Sequence, residues 1–226
     1  LAYQKESGAL NEGFSDVFGN SVEFWARPTK SSWKLGEDFN YVIRDMANPN
    51  AYKQPDTYLG TYWVNVVGCT PSSSTNDNCG VHTNSGVLNY WYYLLTNGGS
   101  GTNDKGFAYS VTGVGLTKSA AIAYRTLTTY LTSASNYLNA RTYSLQAATD
   151  LYGATSNEYL QVKNAWNAVG VGGGTSAAGK MAETTAAPMY QVVADTNKAT
   201  IVFNSTTADL KNIELISVTG KKIVST

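Results

Sequence analysis

The stretch "ALNEGFSDVFGNSVEFWA", residues 9–26, predicts an amphipathic helix on which the rest of the fold packs. Its large apolar residues recur at steps of three and four positions, which is the spacing of one helix face. They are Leu10, Phe14, Val17, Phe18, Val22 and Trp25. Gly13 and Gly19 lie inside this helix, where each glycine costs about 1 kcal/mol relative to alanine. We therefore expect both glycines to mark a close approach of another part of the chain.

Three carboxylates lie on the same predicted helix. Glu12 and Asp16 are four positions apart and Glu23 follows seven positions later, so the three share one face. Like charges at this spacing repel by about 0.2–0.5 kcal/mol, so a cationic partner is expected. A solvated acidic face paired with lysine or arginine is favoured by spacing alone. The alternative is a metal site, in which one carboxylate binds the ion and the next holds a histidine ligand.

Helical patterns return after an irregular, turn-rich region at 27–80 and predict a mainly α fold. The predicted helices are 85–97, 117–132, 135–152 and 155–169. We place Thr117 as the N-cap of the second of these, and Thr155 or Ser156 as the N-cap of the last. The inward residues of these two helices are predicted to be Ala121, Tyr124, Leu127 and Leu131, and Tyr159, Val162, Trp166 and Val169.

The end of the chain has a different character. "GVGGGTSAAGK", residues 170–180, is typical of a flexible linker. "MYQVVA", "KATIVFN" and "NIELISVTGKKIVS" then alternate apolar and polar residues, which predicts β-strands with a turn at Thr219–Gly220. We predict three parts: a helical domain at 1–172, a linker at 173–187 and a partial β-rich segment at 188–226.

Charge and cysteine content limit the function classes. Sixteen basic and sixteen acidic residues give zero formal charge, which argues against a nucleic acid or an anionic membrane surface as partner. No run of eighteen apolar residues appears, so no membrane span is predicted. The two cysteines, Cys69 and Cys79, flank a polar loop, and we favour a disulfide over two reduced thiols. A disulfide implies an oxidising compartment, and hence a secreted protein.

Several motifs occur in one order along residues 1–172. They are "YQKESGALNEGFSDVFG", "GED", "IRDMANP", "NDNCGVHTNSGV", "YSVTGVG", "QAATDLYGATSNE" and "NAWNAVGV". This succession resembles the C-terminal half of a thermolysin-family zinc metalloprotease. The resemblance implies a bundle-like helical domain from a bacterial, secreted enzyme that hydrolyses peptide bonds. Residues 188–226 resemble the start of a C-terminal sorting domain of Bacteroidetes-type secreted proteins, with a generic accessory β-domain as the alternative.

The resemblance also implies roles for two hydrogen-bond donors and for the residue that supports one of them. Tyr3 and His82 match the two groups that hydrogen-bond the oxyanion of the tetrahedral intermediate. Asp77, five residues before His82, matches the aspartate that orients this histidine. The residue types suit the chemistry, because developing negative charge needs donors placed where it forms. Without the surrounding motif, His82 would be interpreted as a loop histidine that caps the following helix.

The resemblance also implies a role for Arg44, in "IRDM". It matches the arginine that binds the backbone carbonyl of a peptide substrate. The alternative is a structural salt bridge with Asp45 or Asp38.

The resemblance further implies metal sites. Glu12 matches a zinc ligand, and Asp16 matches the aspartate that holds a zinc-binding histidine. Glu23 and Glu37 match calcium-binding carboxylates, although Ser32 and Lys34 stand where further carboxylates are expected, so at most one calcium site is predicted.

Catalytic zinc in this family takes two histidines and a glutamate from the protein, and the histidines belong to an H-E-x-x-H helix. This chain has one histidine and no such motif. We therefore expect a C-terminal fragment that is inactive alone and pairs with an N-terminal H-E-x-x-H domain of the same parent protein. Two other interpretations stay open: an inactive module that binds extended peptides, and a surface protein whose tail mediates export.

Overall fold

The computed structural model describes residues 1–29 and 32–172, and after these the backbone of four short strands. The chain divides into two compact units, Leu1–Gly179 and Lys180–Thr226. The first unit is mainly helical, which confirms the predicted fold class. Its helices are α1 (Lys5–Ala26), α2 (Asp77–Asn84), α3 (Gly86–Asn97), α4 (Leu116–Arg125), α5 (Tyr137–Tyr152) and α6 (Asn157–Ala168).

Helix α1 begins four residues earlier than predicted, at Lys5. Its apolar stripe is buried over the first four turns, at Leu10, Phe14 and Val17. The prediction fails at the end of the helix, where Trp25 is 82% exposed. The apolar spacing continues to the end of α1, but the packing partners do not, because the chain turns away at Arg27.

The core is built around α3, whose apolar residues are buried on nearly every side. The indole of Trp91 stacks on that of Trp166 in α6, with ring centroids 4.7 Å apart. The Trp166 indole N–H is satisfied inside the core, since it donates to the Ser144 hydroxyl of α5 at 2.7 Å. Large aromatic pairs of this kind supply much of the apolar area that a small domain buries.

Helix α4 differs from its prediction at both ends. It follows Gly115, so Thr117 lies inside the helix and is not the N-cap. A π-helical turn, Thr126–Tyr130, takes the place of its last predicted turns. The buried residues are Ser119, Ile122, Ala123 and Thr126, so the inward face is displaced from the predicted stripe. Tyr124, predicted to point inward, is exposed. Apart from Ile122, the buried residues of this face are small or hydroxylated, and a pattern of large apolar residues does not detect them. The predicted Leu127 and Leu131 are partly buried against the core.

The last two helices of the first unit lie close to their predicted bounds, although α5 begins two residues later than predicted. Asn136 and Asn139 form a capping box at the start of α5, and Gly153, in the left-handed region at φ 95°, follows its end. The Ser156 side chain accepts from the backbone N–H of Tyr159 and caps α6.

Two small antiparallel hairpins connect the helices. The strands β1 (Lys34–Leu35) and β2 (Arg44–Asp45) pair with Leu35 opposite Arg44. The strands β3 (Gly98–Thr102) and β4 (Ala108–Thr112) pair with Gly98 opposite Thr112. The first hairpin carries Arg44, for which the sequence analysis predicts contact with a substrate.

The second unit contains four described strands. The strands β5 (Tyr190–Ala194) and β6 (Ala199–Phe203) form one antiparallel pair, and β7 (Glu214–Ile216) and β8 (Lys222–Ser225) form another. The predicted linker at 173–187 and the predicted turn at Thr219–Gly220 lie outside the described residues. Among the described helices, none has the length and apolar character that crossing a membrane requires.

The two glycines of α1 have different surroundings. A Cβ atom built at Gly13 would lie 2.9 Å from the Leu88 Cβ of α3, closer than packed side chains tolerate. A Cβ atom at Gly19 would meet nothing within 4 Å. The expected close approach therefore holds at Gly13 and fails at Gly19.

We predict opposite effects of alanine at these two positions. Gly13→Ala should lower the free energy of unfolding by about 1–3 kcal/mol, because the added methyl group overpacks the α1–α3 contact. Gly19→Ala should raise it by up to about 1 kcal/mol, because only the helix propensity changes. Urea unfolding of both variants measures the difference. Equal effects at the two sites would contradict this packing of α1 on α3.

Candidate functional site

The ring of His82 lies between two groups of oxygen atoms. Its Nδ1 atom is 2.6 Å from Oδ1 of Asp77. Its Nε2 atom is 3.1 Å from the Tyr3 hydroxyl and 3.4 Å from Oε2 of Glu12. Residues 79 positions apart in the sequence, Tyr3 and His82, are thus brought together at the N-terminal end of α1. The side chain of His82 is half exposed, so this group faces solvent from one side.

Asp77 holds His82 at two points. Besides the contact to Nδ1, its Oδ2 atom accepts the backbone N–H of His82 at 2.9 Å. An ionised carboxylate can only accept, so this arrangement places a proton on Nδ1. The ring can then donate from Nε2 only when it carries both protons.

The backbone that carries Asp77 has an uncommon conformation. The φ angles of Asp77, Asn78, Cys79 and Gly80 are 53°, 49°, 70° and 77°, four successive left-handed residues. Each non-glycine residue in this region costs of order 1 kcal/mol and persists only where the surroundings impose it. At Gly80 a side chain is also excluded, because a Cβ atom would lie 2.6 Å from Cβ of Val64.

Tyr3 donates its hydroxyl proton to Oε1 of Glu12 at 2.5 Å. This hydrogen bond, helped by partial burial and the charge of Glu12, raises the pKa of Tyr3 to about 12. The phenol therefore remains a proton donor throughout the neutral and mildly alkaline range.

Tyr3 and His82 can act on one atom together. Their donor atoms are 3.1 Å apart, and an oxygen can lie about 2.7–3.1 Å from both at once. A pair of donors at this separation can stabilise one developing negative charge.

Arg44 forms an ion pair that neither sequence alternative anticipated. Its Nη2 donates to Oδ1 of Asp16 at 2.8 Å, and its Nε lies 2.8 Å from Oδ2. The alternative of a salt bridge with Asp45 or Asp38 is thus wrong, because Arg44 pairs with Asp16 and Asp38 pairs with Arg27. The sequence could not show this pairing, because the hairpin register, not chain distance, brings Arg44 to α1.

Asp16 is buried in this contact. Asn89 of α3 donates to its Oδ2 atom at 2.8 Å, so α1, β2 and α3 meet at one carboxylate. Burial raises the pKa of Asp16, and the charge and hydrogen bonds of Arg44 oppose that rise. Asp16 is the residue for which the resemblance implied contact with a zinc-binding histidine.

The carboxylates of α1 do not assemble a metal site by themselves. No group of three histidine, cysteine, aspartate or glutamate side chains suited to a metal occurs among the described residues. Glu12, 17% exposed and close to His82 and Tyr3, fits one zinc ligand and not a complete set. Glu23 pairs with Arg27, and Glu37 accepts from the Ser32 hydroxyl, so the two predicted calcium carboxylates have separate partners.

Cys69 and Cys79 form a disulfide, with sulfur atoms 1.95 Å apart. It closes a loop that contains Asp77. Neighbouring positions that the sequence analysis did not single out also contribute: Gln54 donates to the His82 carbonyl at 2.5 Å. Asn76 caps the start of α2. Asn before Asp in "NDN" is a recognisable capping signal, whereas nothing local marks Gln54.

Comparisons with known proteins show which proteins the chain is similar to. A model of the thermolysin metallopeptidase α-helical domain matches residues 1–171. Bacillolysin from Bacillus caldolyticus and thermolysin from Alicyclobacillus acidocaldarius subsp. acidocaldarius are each 45% identical to the chain over 177 residues. These matches cover 76% of this chain and 30% of each relative. The precursor of protealysin, a metalloproteinase from Serratia proteamaculans, has a similar structure, with TM-score 0.56 and 25% identity over 76% of this chain and 52% of that one.

The buried ion pair yields a stability prediction. Arg44→Met should lower the free energy of unfolding at pH 7 by about 3 kcal/mol, because Asp16 is left buried without its counter-charge. The loss should shrink as the pH falls toward 4. Without Arg44 the already raised pKa of Asp16 rises further, so the folded state takes up a proton before the unfolded state does.

Arg27→Met is the matched control. Arg27 is 43% exposed in its pairs with Glu23 and Asp38, and exposed pairs contribute about 0–1 kcal/mol. Denaturant unfolding at several pH values compares the two variants. A loss at Arg44 that is small, or independent of pH, would contradict the proposed burial of charge.

Proposed function

The chain belongs to the thermolysin metallopeptidase family, and we propose that it is the substrate-binding part of a zinc metalloendopeptidase. The chain spans about 30% of the length of the curated relatives. The proposal therefore includes a partner: an N-terminal H-E-x-x-H domain of the same parent protein, which supplies two histidine ligands and the general base. The substrate is a peptide or protein.

The observation that carries the proposal is the pair of donors 3.1 Å apart, Tyr3 and His82. Peptide hydrolysis places negative charge on the former carbonyl oxygen of the tetrahedral intermediate. Both donors can reach that oxygen, the phenol through its retained proton and the imidazolium through Nε2. Asp77 supports the second donor, because it accepts from Nδ1 and so fixes the orientation of the ring.

Arg44 has the capacity to bind the substrate backbone. A guanidinium has five N–H donors, and the contacts to Asp16 engage Nε and Nη2. We propose that a remaining N–H donates to a carbonyl of the bound peptide. In this arrangement Asp16 fixes the direction of the guanidinium, and its contact with Asn89 ties both groups to the core.

Glu12 is the zinc ligand that this chain supplies in the proposal. When bound, zinc polarises the scissile carbonyl and activates a water molecule. The Glu12 carboxylate lies beside both donors, which suits a ligand whose metal ion and oxyanion must be neighbours. A single calcium ion at Glu23 or Glu37 would need further ligands from the partner domain.

We also propose that the protein is secreted by a bacterium. The disulfide supports an oxidising compartment, and the relatives named above come from bacteria. Residues 1–172 form the helical domain in this proposal, 173–187 a linker and 188–226 an accessory β segment.

An inactive peptide-binding module is the second candidate. It would hold an extended peptide through the same donors, Arg44 and His82, without hydrolysis. The two candidates differ in whether an H-E-x-x-H helix precedes Leu1 in the same reading frame. Its absence there would leave the binding module.

The test of the proposed function uses the complete protease that contains this chain. His82→Ala should lower kcat by about 10²–10³, the usual loss of one oxyanion donor, with KM and zinc content nearly unchanged. Tyr3→Phe should act in the same direction, whereas Tyr124→Phe, at an exposed position of α4, should change nothing. Glu12→Gln should lose zinc. Unaltered kcat in His82→Ala, or loss of its zinc, would refute the oxyanion role.

A further inference from the structure

We propose that the Cys69–Cys79 disulfide and the Asn76 side chain are positioning groups for the Asp77–His82 pair. The inference rests on the proposed function, in which His82 donates to the oxyanion. It goes further by assigning the accuracy of that donor to the closed loop that carries Asp77. The two cysteines are bonded to each other, and in this proposal they act through the backbone that carries Asp77.

The segment that needs support is the left-handed run from Asp77 to Gly80. Its conformation is unfavourable for three of its four residues. The side chains that pair there are both exposed to solvent, Asp77 by 38% and His82 by 49%. An ion pair with that much solvent contact is too weak to impose four left-handed residues. Another constraint must therefore fix the segment.

The disulfide supplies a covalent constraint inside the segment itself. Cys79 is the third residue of the left-handed run and is fully buried. Its bond to Cys69 fixes the position of its Cα atom, 6.1 Å from that of Cys69. The chain between the two cysteines is thereby closed into a short loop whose last residues are Asp77 and Asn78.

Asn76 ties this loop together from within. Its Oδ1 atom accepts from the backbone N–H groups of Ser72 and Cys79, at 3.0 and 3.1 Å. Its Nδ2 atom donates to the Thr70 carbonyl at 3.0 Å and lies 3.6 Å from the sulfur of Cys69. One amide therefore contacts both ends of the loop and one sulfur of the disulfide, directly before Asp77.

The other side of His82 is fixed independently. Gln54 donates to the His82 carbonyl, and the Asn84 side chain exchanges two hydrogen bonds with the backbone of Val64 at 2.9 Å each. Opening the disulfide should thus leave α2 after Gly80 in place and release the part that carries Asp77. We therefore expect His82 to keep its position. The Asp77 carboxylate, which determines which ring nitrogen carries the proton, should move.

The direct test reads the ring of His82 by NMR. His82 is the only histidine of the chain, so ¹⁵N-histidine labelling gives one pair of ring nitrogens without assignment. In the neutral ring the proton should lie on Nδ1, where Asp77 accepts it. In the double variant Cys69→Ser with Cys79→Ser, it should shift toward Nε2, the position preferred by free histidine. Circular dichroism first checks that the helices are retained.

Asn76→Asp tests the same proposal without touching the disulfide. It keeps an acceptor for the N–H groups of Ser72 and Cys79 and removes the donor to Thr70 and Cys69. The proton should again shift toward Nε2, to a smaller extent. Ser74→Ala is the matched control in the same loop, since its hydroxyl contacts that of Ser72 at 3.3 Å, and it should keep the proton on Nδ1.

Kinetics of the complete protease separate positioning from general stability. The double cysteine variant should lose kcat by about 10- to 100-fold, less than the roughly 10²–10³ of complete donor loss. KM and zinc content should stay close to those of the unaltered enzyme.

The outcomes distinguish this inference from the proposed function. A folded double variant, or Asn76→Asp, that keeps the Nδ1 proton as in the unaltered chain overturns the positioning role. If instead the proton shifts while kcat is unchanged, the positioning role holds and the oxyanion role of His82 is refuted.

Discussion

Helix α1 must bury Leu10, Phe14 and Val17 against the core while it presents Glu12 and Asp16 to neighbouring elements. The two demands fall on adjacent faces of one helix, so its rotation about its own axis is fixed within narrow limits. Gly13 contributes to this by letting the side chain of Leu88 approach the α1 backbone. A small rotation of α1 would bury Glu12 or expose Phe14, and every contact of the site would change with it.

The buried charge of Asp16 shows how this rotation is enforced. A carboxylate without partners is costly in an apolar interior, so α1 can settle only where Arg44 and Asn89 reach Asp16 from two other elements. Replacing such a group by an apolar side chain often stabilises a protein, so net stability is a poor reason for its presence. Its better-supported contribution here is geometric: it selects one arrangement of α1, the first hairpin and α3.

The sequence predicted the parts of this molecule that depend on local pattern. The helices at α3, α5 and α6, with the cap at Ser156, follow from periodicity and capping chemistry. The family resemblance singles out Tyr3, Glu12, Asp77 and His82, and the structure brings these side chains together. The partner of Arg44 could not be predicted, because hairpin register and helix rotation decide it together. The prediction for α4 is correct only in part: Leu127 and Leu131 pack against the core, whereas the fully buried residues beside Ile122 are small or hydroxylated, and a search for large apolar residues overlooks these.

The site joins two kinds of support. Tyr3 and Glu12 meet at the start of a long helix that is fixed by its own burial, whereas Asp77 and His82 lie on a short segment with an unfavourable backbone. An oxyanion donor is useful only if it stands where charge develops, and an error of one ångström removes much of its effect. The helix gains its accuracy from the core, but an exposed loop has no core to rely on. The disulfide and the hydrogen bonds of Asn76 can position the loop as accurately as the core positions α1. Both reduce the number of conformations that the loop can adopt before substrate binds.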